Sequence, residues 1–254
     1  MLATTLPLPW RLALMLVVGI TAGIANGVAG GGTFIVFPSL LALGVAPLPA
    51  NVTTTVGVSP SYVGGMWRFR DEITPHRRLL VRMLPACAIG AALGCALLFA
   101  FPATAFRRAV PWLIGAATLL FAASPRITKG LTHIDHSHPA RRWFLYVGIF
   151  FSAVYGGYFG AGLGILLLAV MAVALPLELA ELQGLRSVLS TIINLFAATI
   201  FLVRGHLVWW ALPLLLLGTL ACGWGGTWII ARLSPRVMRA LIVGIGVVTT
   251  VRLA

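Results

Sequence analysis

The stretch from Leu12 to Trp67 reads LALMLVVGITAGIANGVAGGGTFIVFPSLLALGVAPLPANVTTTVGVSPSYVGGMW and contains no Asp, Glu, Lys or Arg. These 56 residues lie between Arg11 and Arg68. A helix that crosses the hydrocarbon core of a bilayer needs only about 20 mostly apolar residues. The stretch can therefore hold more than one membrane helix. It does not suit an ordinary soluble domain, in which about 25% of residues are charged.

The rest of the chain continues this pattern. Its 254 residues are 60% hydrophobic and 9% charged, with a mean hydropathy of +1.02. Further charge-free runs cover 83–106, 109–125, 143–177, 187–203, 205–231 and 240–251. We predict an all-α, polytopic helical membrane protein embedded in a lipid bilayer.

The basic residues follow the membrane segments rather than a nucleic-acid surface. A net charge of +13 would suit nucleic-acid binding. However, 17 of the 18 basic residues lie at the edges of apolar runs or between them, as the positive-inside rule predicts for loops. We expect no nucleic-acid partner. Cys87, Cys95 and Cys222 all lie within apolar runs, so we expect buried small side chains rather than disulfides or metal ligands.

The chain repeats itself after about 130 residues. GIANGVAGGG at 23–32 aligns without a gap with AVYGGYFGAG at 153–162. Equivalent prolines, glycines, arginines and threonines follow at similar offsets: Pro85 and Pro213, Gly90 and Gly218, Arg108 and Arg239, Gly115 and Gly246, Thr118 and Thr249. We predict two homologous transmembrane repeats, 1–123 and 140–254, joined by a cytoplasmic linker, 124–139.

Each repeat contains about five hydrophobic segments, of which the second, 33–45 or 163–176, is short. If all ten segments cross, the repeats are inverted. If the first two segments of each repeat share one crossing, there are eight crossings and the repeats are parallel. Both topologies place 12 basic residues inside and 5 outside, with the 68–82 loop in the cytoplasm. Because discontinuous helices at a repeat interface are common in transporters, we favour inverted repeats with glycine-broken helices.

The glycine clusters form the first candidate binding site: Gly30, Gly31 and Gly32, with Gly160 and Gly162 in the second repeat. Glycine costs about 1 kcal/mol relative to alanine inside a helix, so this density indicates a chain break or close packing. A break would expose backbone amides and the N-terminus of the next helix, which favour an anion. Packing through small residues is the alternative.

A polar helix face in the second repeat is the second candidate. Gln183, Arg186, Ser187, Ser190 and Asn194 recur at helical spacing. An arginine inside a membrane segment normally faces the bundle interior or a wet cavity, and its planar fork of donors suits oxyanions. Alternatively, the guanidinium reaches the membrane interface or pairs with one of the two nearby glutamates, Glu178 and Glu181. These acids can also cap the start of the segment.

The matching segment of the first repeat offers Asn51, Thr54 and Thr55, which complete the candidate substrate site. In the linker, His133, Asp135, His136 and His138 could hold a metal, although a solvated loop is favoured. The chain contains no catalytic motif of the DxD, HExxH or GxSxG kind. We therefore expect no enzyme activity, cofactor or metal.

The glycine-rich opening from Gly23 to Pro38, its weaker copy from Gly148 to Gly164, and the polar segments after each resemble the TauE/SafE family of sulfite exporter-like permeases. The resemblance covers about 11–251. It implies a multi-pass permease of the bacterial cytoplasmic (inner) membrane that moves sulfite, sulfoacetate or other organosulfonates, often as an exporter. The second cluster is interrupted at 158, 159 and 161, so a strictly symmetric site is not expected.

Two functions follow. One is secondary transport of a small anionic substrate. The other is a non-transporting membrane anchor or accessory subunit for another enzyme, which would act through the basic 68–82 loop. The sequence leaves a homo-oligomer open.

Overall fold

The computed structural model of the chain describes residues 7–130, 141–232 and 235–253. Within these ranges the chain is helical and has no β-strand, which confirms the all-α prediction. A 3₁₀ turn, Thr74–His76, precedes α5. The helices are α1 (Leu8–Ala29), α2 (Thr33–Ala42), α3 (Pro47–Arg68), α4 (Arg70–Ile73), α5 (Arg77–Ala100), α6 (Ala103–Gly130), α7 (Arg141–Tyr158), α8 (Leu163–Ala174), α9 (Leu179–Arg204), α10 (Leu212–Arg232) and α11 (Pro235–Leu253).

The long apolar helices are those of a polytopic membrane protein. Among the described residues, four segments are long and apolar enough to cross a bilayer: Leu8–Asn26, Arg70–Ala100, Ala103–Ser124 and Leu179–Arg204. In contrast, α2 and α8 have 10 and 12 residues, or about 15 and 18 Å of helix. Neither is long enough to span a hydrocarbon core about 30 Å thick.

The short helices belong to hairpins. Gly148 of α7 lies against the side chain of Val170 of α8. In the first repeat, Gly32, just before α2, lies against the backbone carbonyl of Ala22 on α1. The chain turns back at each glycine cluster. The helices of each hairpin, α1 with α2 and α7 with α8, therefore run alongside each other and do not form one continuous crossing. This geometry argues against the eight-crossing topology, in which the first two segments of each repeat share one crossing; the short helices α2 and α8 instead return part of the way along α1 and α7.

Helices α3 and α9 pack in opposite directions at the centre of the bundle. Near the start of α3, Thr53 Oγ1 accepts a hydrogen bond of 2.9 Å from the backbone N–H of Val208, just beyond the end of α9. Phe69, just beyond the end of α3, lies against Gly184 near the start of α9. The two polar segments predicted from the sequence therefore lie side by side.

The outer helices make contacts between the two repeats that are equivalent when the repeats are interchanged. Gly115 of α6 lies against Thr250 of α11, and Gly246 of α11 lies against Thr118 of α6. Gly115 and Gly246 are equivalent in the two repeats, so the same contact is made twice with the repeats exchanged. Likewise, α1 packs on α10 and α5 packs on α7. A two-fold relation that reverses the direction of the helices supports the inverted-repeat interpretation.

Glycines also allow α5 and α7 to approach closely. A Cβ added at Gly94 would overlap the carbonyl of Val154, and one added at Gly157 would overlap the carbonyl of Ala91. Such contacts are the small-residue packing expected between membrane helices. The three cysteines are buried and free, which confirms their predicted role as packing residues.

Two boundaries differ from the expected segments. Helix α6 continues to Gly130 and so includes the first part of the predicted linker, 124–139. Helix α10 begins at Leu212, within the charge-free run 205–231, because residues 205–211 form the connection from α9. The four linker residues considered for a metal site, at 133, 135, 136 and 138, lie outside the described residues.

Candidate substrate site

The first chain break is built by Gly30 and Asn26. Gly30 has a left-handed backbone with φ of 74°, a conformation that glycine adopts without a steric penalty. The Oδ1 atom of Asn26 accepts a hydrogen bond of 2.7 Å from the N–H of Gly32, and its Nδ2 atom donates one of 2.7 Å to Ser61 Oγ. The side chain of Asn26 therefore stabilises the break and attaches it to α3.

The second break uses different residues. Gly160 and Gly162 both have positive φ, of 78° and 77°. The hydroxyl of Tyr155 donates a hydrogen bond of 2.7 Å to the carbonyl of Ala161. Gly156 occupies the position equivalent to Asn26, so the two breaks are related in backbone geometry but not in the side chains that support them.

Arg186 lies between the two hairpins. Its side chain is buried, with 8% of the residue exposed. A Cβ added at Gly30, at the first break, would lie 3.3 Å from Nη1, and a Cβ added at Gly164, at the start of α8, would lie at the same distance. Glycine at both positions therefore leaves room for the guanidinium.

Among the described residues, neither a hydrogen bond nor a salt bridge involves the guanidinium of Arg186. The two glutamates suggested as partners are engaged elsewhere. Glu178 and Glu181 form a capping box at the start of α9, and Glu181 Oε1 lies 2.7 Å from His76 Nε2. The predicted capping role is confirmed, and the predicted pairing with Arg186 is wrong.

A small cavity lies beside the guanidinium, with a volume of about 20 Å³. This is room for about one water molecule. Ser190 Oγ is buried without a hydrogen-bond partner, whereas Ser187 Oγ donates to the carbonyl of Gln183 at 2.9 Å. The lining residues are Asn26, Gly30, Ser61, Tyr62, Phe69, Gly164, Arg186, Ser187 and Ser190.

Tyr62 links this cavity to the polar face of α9. Its phenol interacts with the side chains of Thr33, Asn26 and Asn194 and with the charge of Arg186. Asn194 Nδ2 also donates to the carbonyl of Ser190 at 2.9 Å. The cavity wall is thus rich in hydroxyl and amide groups and carries one formal charge.

The structure brings four predicted residues to this cavity: Gly30, Arg186, Ser187 and Ser190. Two others lie next to it. Gly32 donates to Asn26, as described above, and Asn194 contacts Tyr62. Gln183 is only partly buried and contributes its carbonyl to Ser187.

The other predicted residues lie apart from this cavity. Asn51 Nδ2 donates to the carbonyl of Tyr158 at 3.0 Å, next to the second break, and Thr55 donates to the carbonyl of Asn51. Asn51 Oδ1 and Thr54 Oγ1 are buried without partners. Gly31 lies against Ile242 and Phe121, Gly162 faces Ala117 and Phe34, and Gly160 lies nearest the carbonyl of Gly156.

Five lining residues were not predicted as site residues: Asn26, Ser61, Tyr62, Phe69 and Gly164. Asn26 is the one amide in the first glycine cluster, and this could have singled it out. Ser61 and Phe69 give no comparable signal, because they reach the cavity only through the antiparallel packing of α3 on α9.

One side of the site is covered by the chain between α3 and α5. Phe69 and Ile73 both lie against Gly184. The contact between His76 and Glu181 then joins the 3₁₀ turn to the start of α9. Because the 68–82 loop is predicted to be cytoplasmic, we expect this cover to separate Arg186 from the cytoplasmic end of the bundle.

The comparisons with known proteins agree with this architecture. Residues 15–253 match the family described as Sulfite exporter TauE/SafE. A protein of Haemophilus influenzae described as a probable membrane transporter protein is 26% identical over 201 residues, which cover 78% of this chain and 76% of the relative. No solved structure matches.

The fold defines a multi-pass helical membrane protein with broken hairpins around a buried arginine. The chain belongs to the TauE/SafE family and is a membrane transporter. No group of three or more potential metal-ligating side chains occurs among the described residues.

Proposed function

We propose that the chain is a secondary transporter or permease that exports small sulfur-containing oxyanions, such as sulfite, sulfoacetate or other organosulfonates. It acts in the cytoplasmic (inner) membrane of a bacterium, with its two repeats in inverted orientation. Arg186 binds the anion, and the hydroxyl and amide groups around it bind the remaining oxygens.

The observation that carries this proposal is that the buried guanidinium of Arg186 has neither a hydrogen bond nor a salt bridge among the described residues. A buried charge without a counter-ion is costly, and an arginine inside a membrane segment costs at least about 2.5 kcal/mol on insertion scales. A bound anion would compensate this charge. The planar guanidinium matches an oxyanion with two parallel hydrogen bonds, and Ser190 Oγ is free to supply another.

The described conformation is closed. A cavity of about 20 Å³ is too small for an ion of sulfur and three oxygens. Loading from the cytoplasm therefore requires displacement of the cover formed by Phe69 and Ile73. The two hairpins enter from opposite directions, the first packed on α3 and the second on α9. Movement of one hairpin or the other away from Arg186 would therefore open the site to alternate sides.

The membrane potential alone is a sufficient driving force for export. An interior-negative potential drives anions outward with about 2.3 kcal/mol per charge per 100 mV. The two acids near the site, Glu178 and Glu181, form the capping box of α9, so neither is needed as a proton carrier. Flux should follow an imposed potential more closely than an imposed pH gradient.

The test is sulfite or sulfonate flux into proteoliposomes that contain only the purified chain. Arg186→Gln should abolish flux, whereas Arg204→Gln, at the exposed end of the same helix, should leave it within about twofold. Both variants must elute as the wild type does in gel filtration. Undiminished flux in Arg186→Gln would remove Arg186 from the site. No flux by the wild-type chain alone would favour the accessory-subunit function.

A further inference from the structure

A second place on the molecule combines positive charge with an opening at the surface. Where α6 begins and α11 ends, a cavity of about 670 Å³ is lined by Arg107, Arg108 and Arg252, together with Thr104 and Trp112. The three arginines are exposed, and among the described residues none of them forms a salt bridge. This end of the bundle therefore presents three uncompensated guanidinium groups.

The position of these arginines is unexpected. The inverted topology places all three among the five basic residues on the outer side of the membrane. The positive-inside rule explains basic residues on the cytoplasmic side, so it does not account for this group. Two of the three come from the first repeat and one from the second, and they meet only in the folded protein.

An apolar groove of about 1220 Å³ adjoins this cavity, between α2 and α11. Arg252 and Leu253 line both. The groove walls include Leu41, Leu241 and Val248, of which the last two are more than half exposed. A basic cavity thus continues into an apolar channel along the side of the protein.

We propose that the cavity and the groove together bind one anionic phospholipid. The phosphate lies between Arg107, Arg108 and Arg252, and an acyl chain lies in the groove. Guanidinium groups bind phosphate with paired hydrogen bonds, and basic pockets between membrane helices bind anionic headgroups. Trp112 is 81% exposed, as expected of a tryptophan at the membrane interface. A soluble phosphate would use only the arginines, so the adjoining groove selects a lipid.

The first test measures phosphatidylglycerol bound to the purified full-length chain, by native mass spectrometry in detergent, with phosphatidylcholine as competitor. The variant Arg107→Gln/Arg108→Gln/Arg252→Gln should bind phosphatidylglycerol about 100-fold more weakly, at the usual contribution of each basic residue near an anionic surface. An unchanged preference for phosphatidylglycerol in this variant overturns the proposal. If the triple variant does not fold, Arg252→Gln alone should lower the affinity about fivefold, and an unchanged affinity has the same consequence.

The matched control removes the same charge at the other end of the bundle, with Arg77→Gln/Arg78→Gln/Arg82→Gln. These three side chains are also exposed. The control should change the affinity less than threefold. An equal loss in the two triple variants would show that net charge, rather than this site, attracts the lipid, and would overturn the proposal.

A second test addresses the acyl chain. A Cβ added at Gly244 meets no atom within 4 Å, and Gly244 lines the groove. Gly244→Phe should therefore fill the groove without disturbing the fold and weaken phosphatidylglycerol binding about tenfold. If glycerol 3-phosphate competes as well as phosphatidylglycerol does, the site takes a soluble phosphate and the lipid proposal is wrong.

Discussion

Replacing Arg186 by methionine should stabilise the protein while it abolishes transport. The wild-type guanidinium is buried at 8% exposure and has no described hydrogen bond or salt bridge, so the substitution removes a charge without breaking either kind of bond among the described residues. Its removal should recover the insertion cost of at least about 2.5 kcal/mol. Apolar residues of similar volume in place of buried charges stabilise soluble proteins by about 1–4 kcal/mol. We expect a gain of about 2–3 kcal/mol.

The assay is thermal unfolding of the purified chain in detergent. For a chain of this size, about 2–4 °C accompanies each kcal/mol, so the melting temperature should rise by about 4–12 °C. Adding sulfite at about 100 times its dissociation constant should stabilise the wild type by about 2.7 kcal/mol and leave Arg186→Met unchanged. Arg204→Met provides the control at an exposed position, where the expected change is within about 0.5 kcal/mol.

A lower melting temperature for Arg186→Met would refute this reasoning, because it would show that the arginine contributes to folding. The same holds if sulfite stabilises the variant as much as the wild type, since the anion would then bind elsewhere.

Three further substitutions test the breaks, the cover and the helix packing. Gly30→Ala should cost about 1–2 kcal/mol for a left-handed backbone and reduce flux at least tenfold, because its Cβ lies 3.3 Å from the site arginine. Gly205 has φ of 82° and ψ of −150°, a backbone that essentially only glycine adopts at a cost of about 1–3 kcal/mol for other residues, and an added Cβ there meets no atom within 4 Å. Gly205→Ala should therefore cost at least as much in thermal unfolding but leave flux normal. His76→Ala should open the cytoplasmic cover and increase thiol labelling of a cysteine placed at the cavity, because its contact with Glu181 is lost. Gly94→Ala should lower stability by more than about 2 kcal/mol in thermal unfolding, since its Cβ would overlap the backbone of α7.

A different result for any of these three substitutions would contradict the explanation given for it. Normal flux in Gly30→Ala would place the substrate path away from the first break. Equal labelling of wild type and His76→Ala would show that the contact with Glu181 does not hold the cover. A stable Gly94→Ala would mean that α5 and α7 are less closely packed than described.

The sequence was sufficient for the class and for the elements of the site. Charge-free runs predicted membrane helices, and glycine clusters at a fixed offset predicted breaks. The two interpretations of the glycine clusters, chain breaks and close helix packing, both apply, each to different residues. Gly30, Gly160 and Gly162 adopt left-handed backbone at the breaks, whereas Gly157 of the second cluster packs closely against Ala91 of α5. Local sequence does not separate these roles, since they depend on which helix lies opposite.

The assembly of the site was less predictable. Arg186 was identified because a lone arginine in an apolar run is unusual, and Ser187 and Ser190 followed from helical spacing. Asn51 and Thr54 have the same residue chemistry, but neither lines the cavity of Arg186, and Asn51 bonds to Tyr158 next to the second break. Which polar stretch meets which break is set by the antiparallel packing of α3 on α9.

The single charge on the cavity wall has an electrical consequence. When a monovalent anion is bound, the site as a whole is neutral, and only the empty site carries a net charge of one. If the site moves relative to the membrane during transport, the potential acts on the return of the empty protein rather than on the loaded step. Transient currents should then appear when substrate is withdrawn, and they should be absent in Arg186→Met.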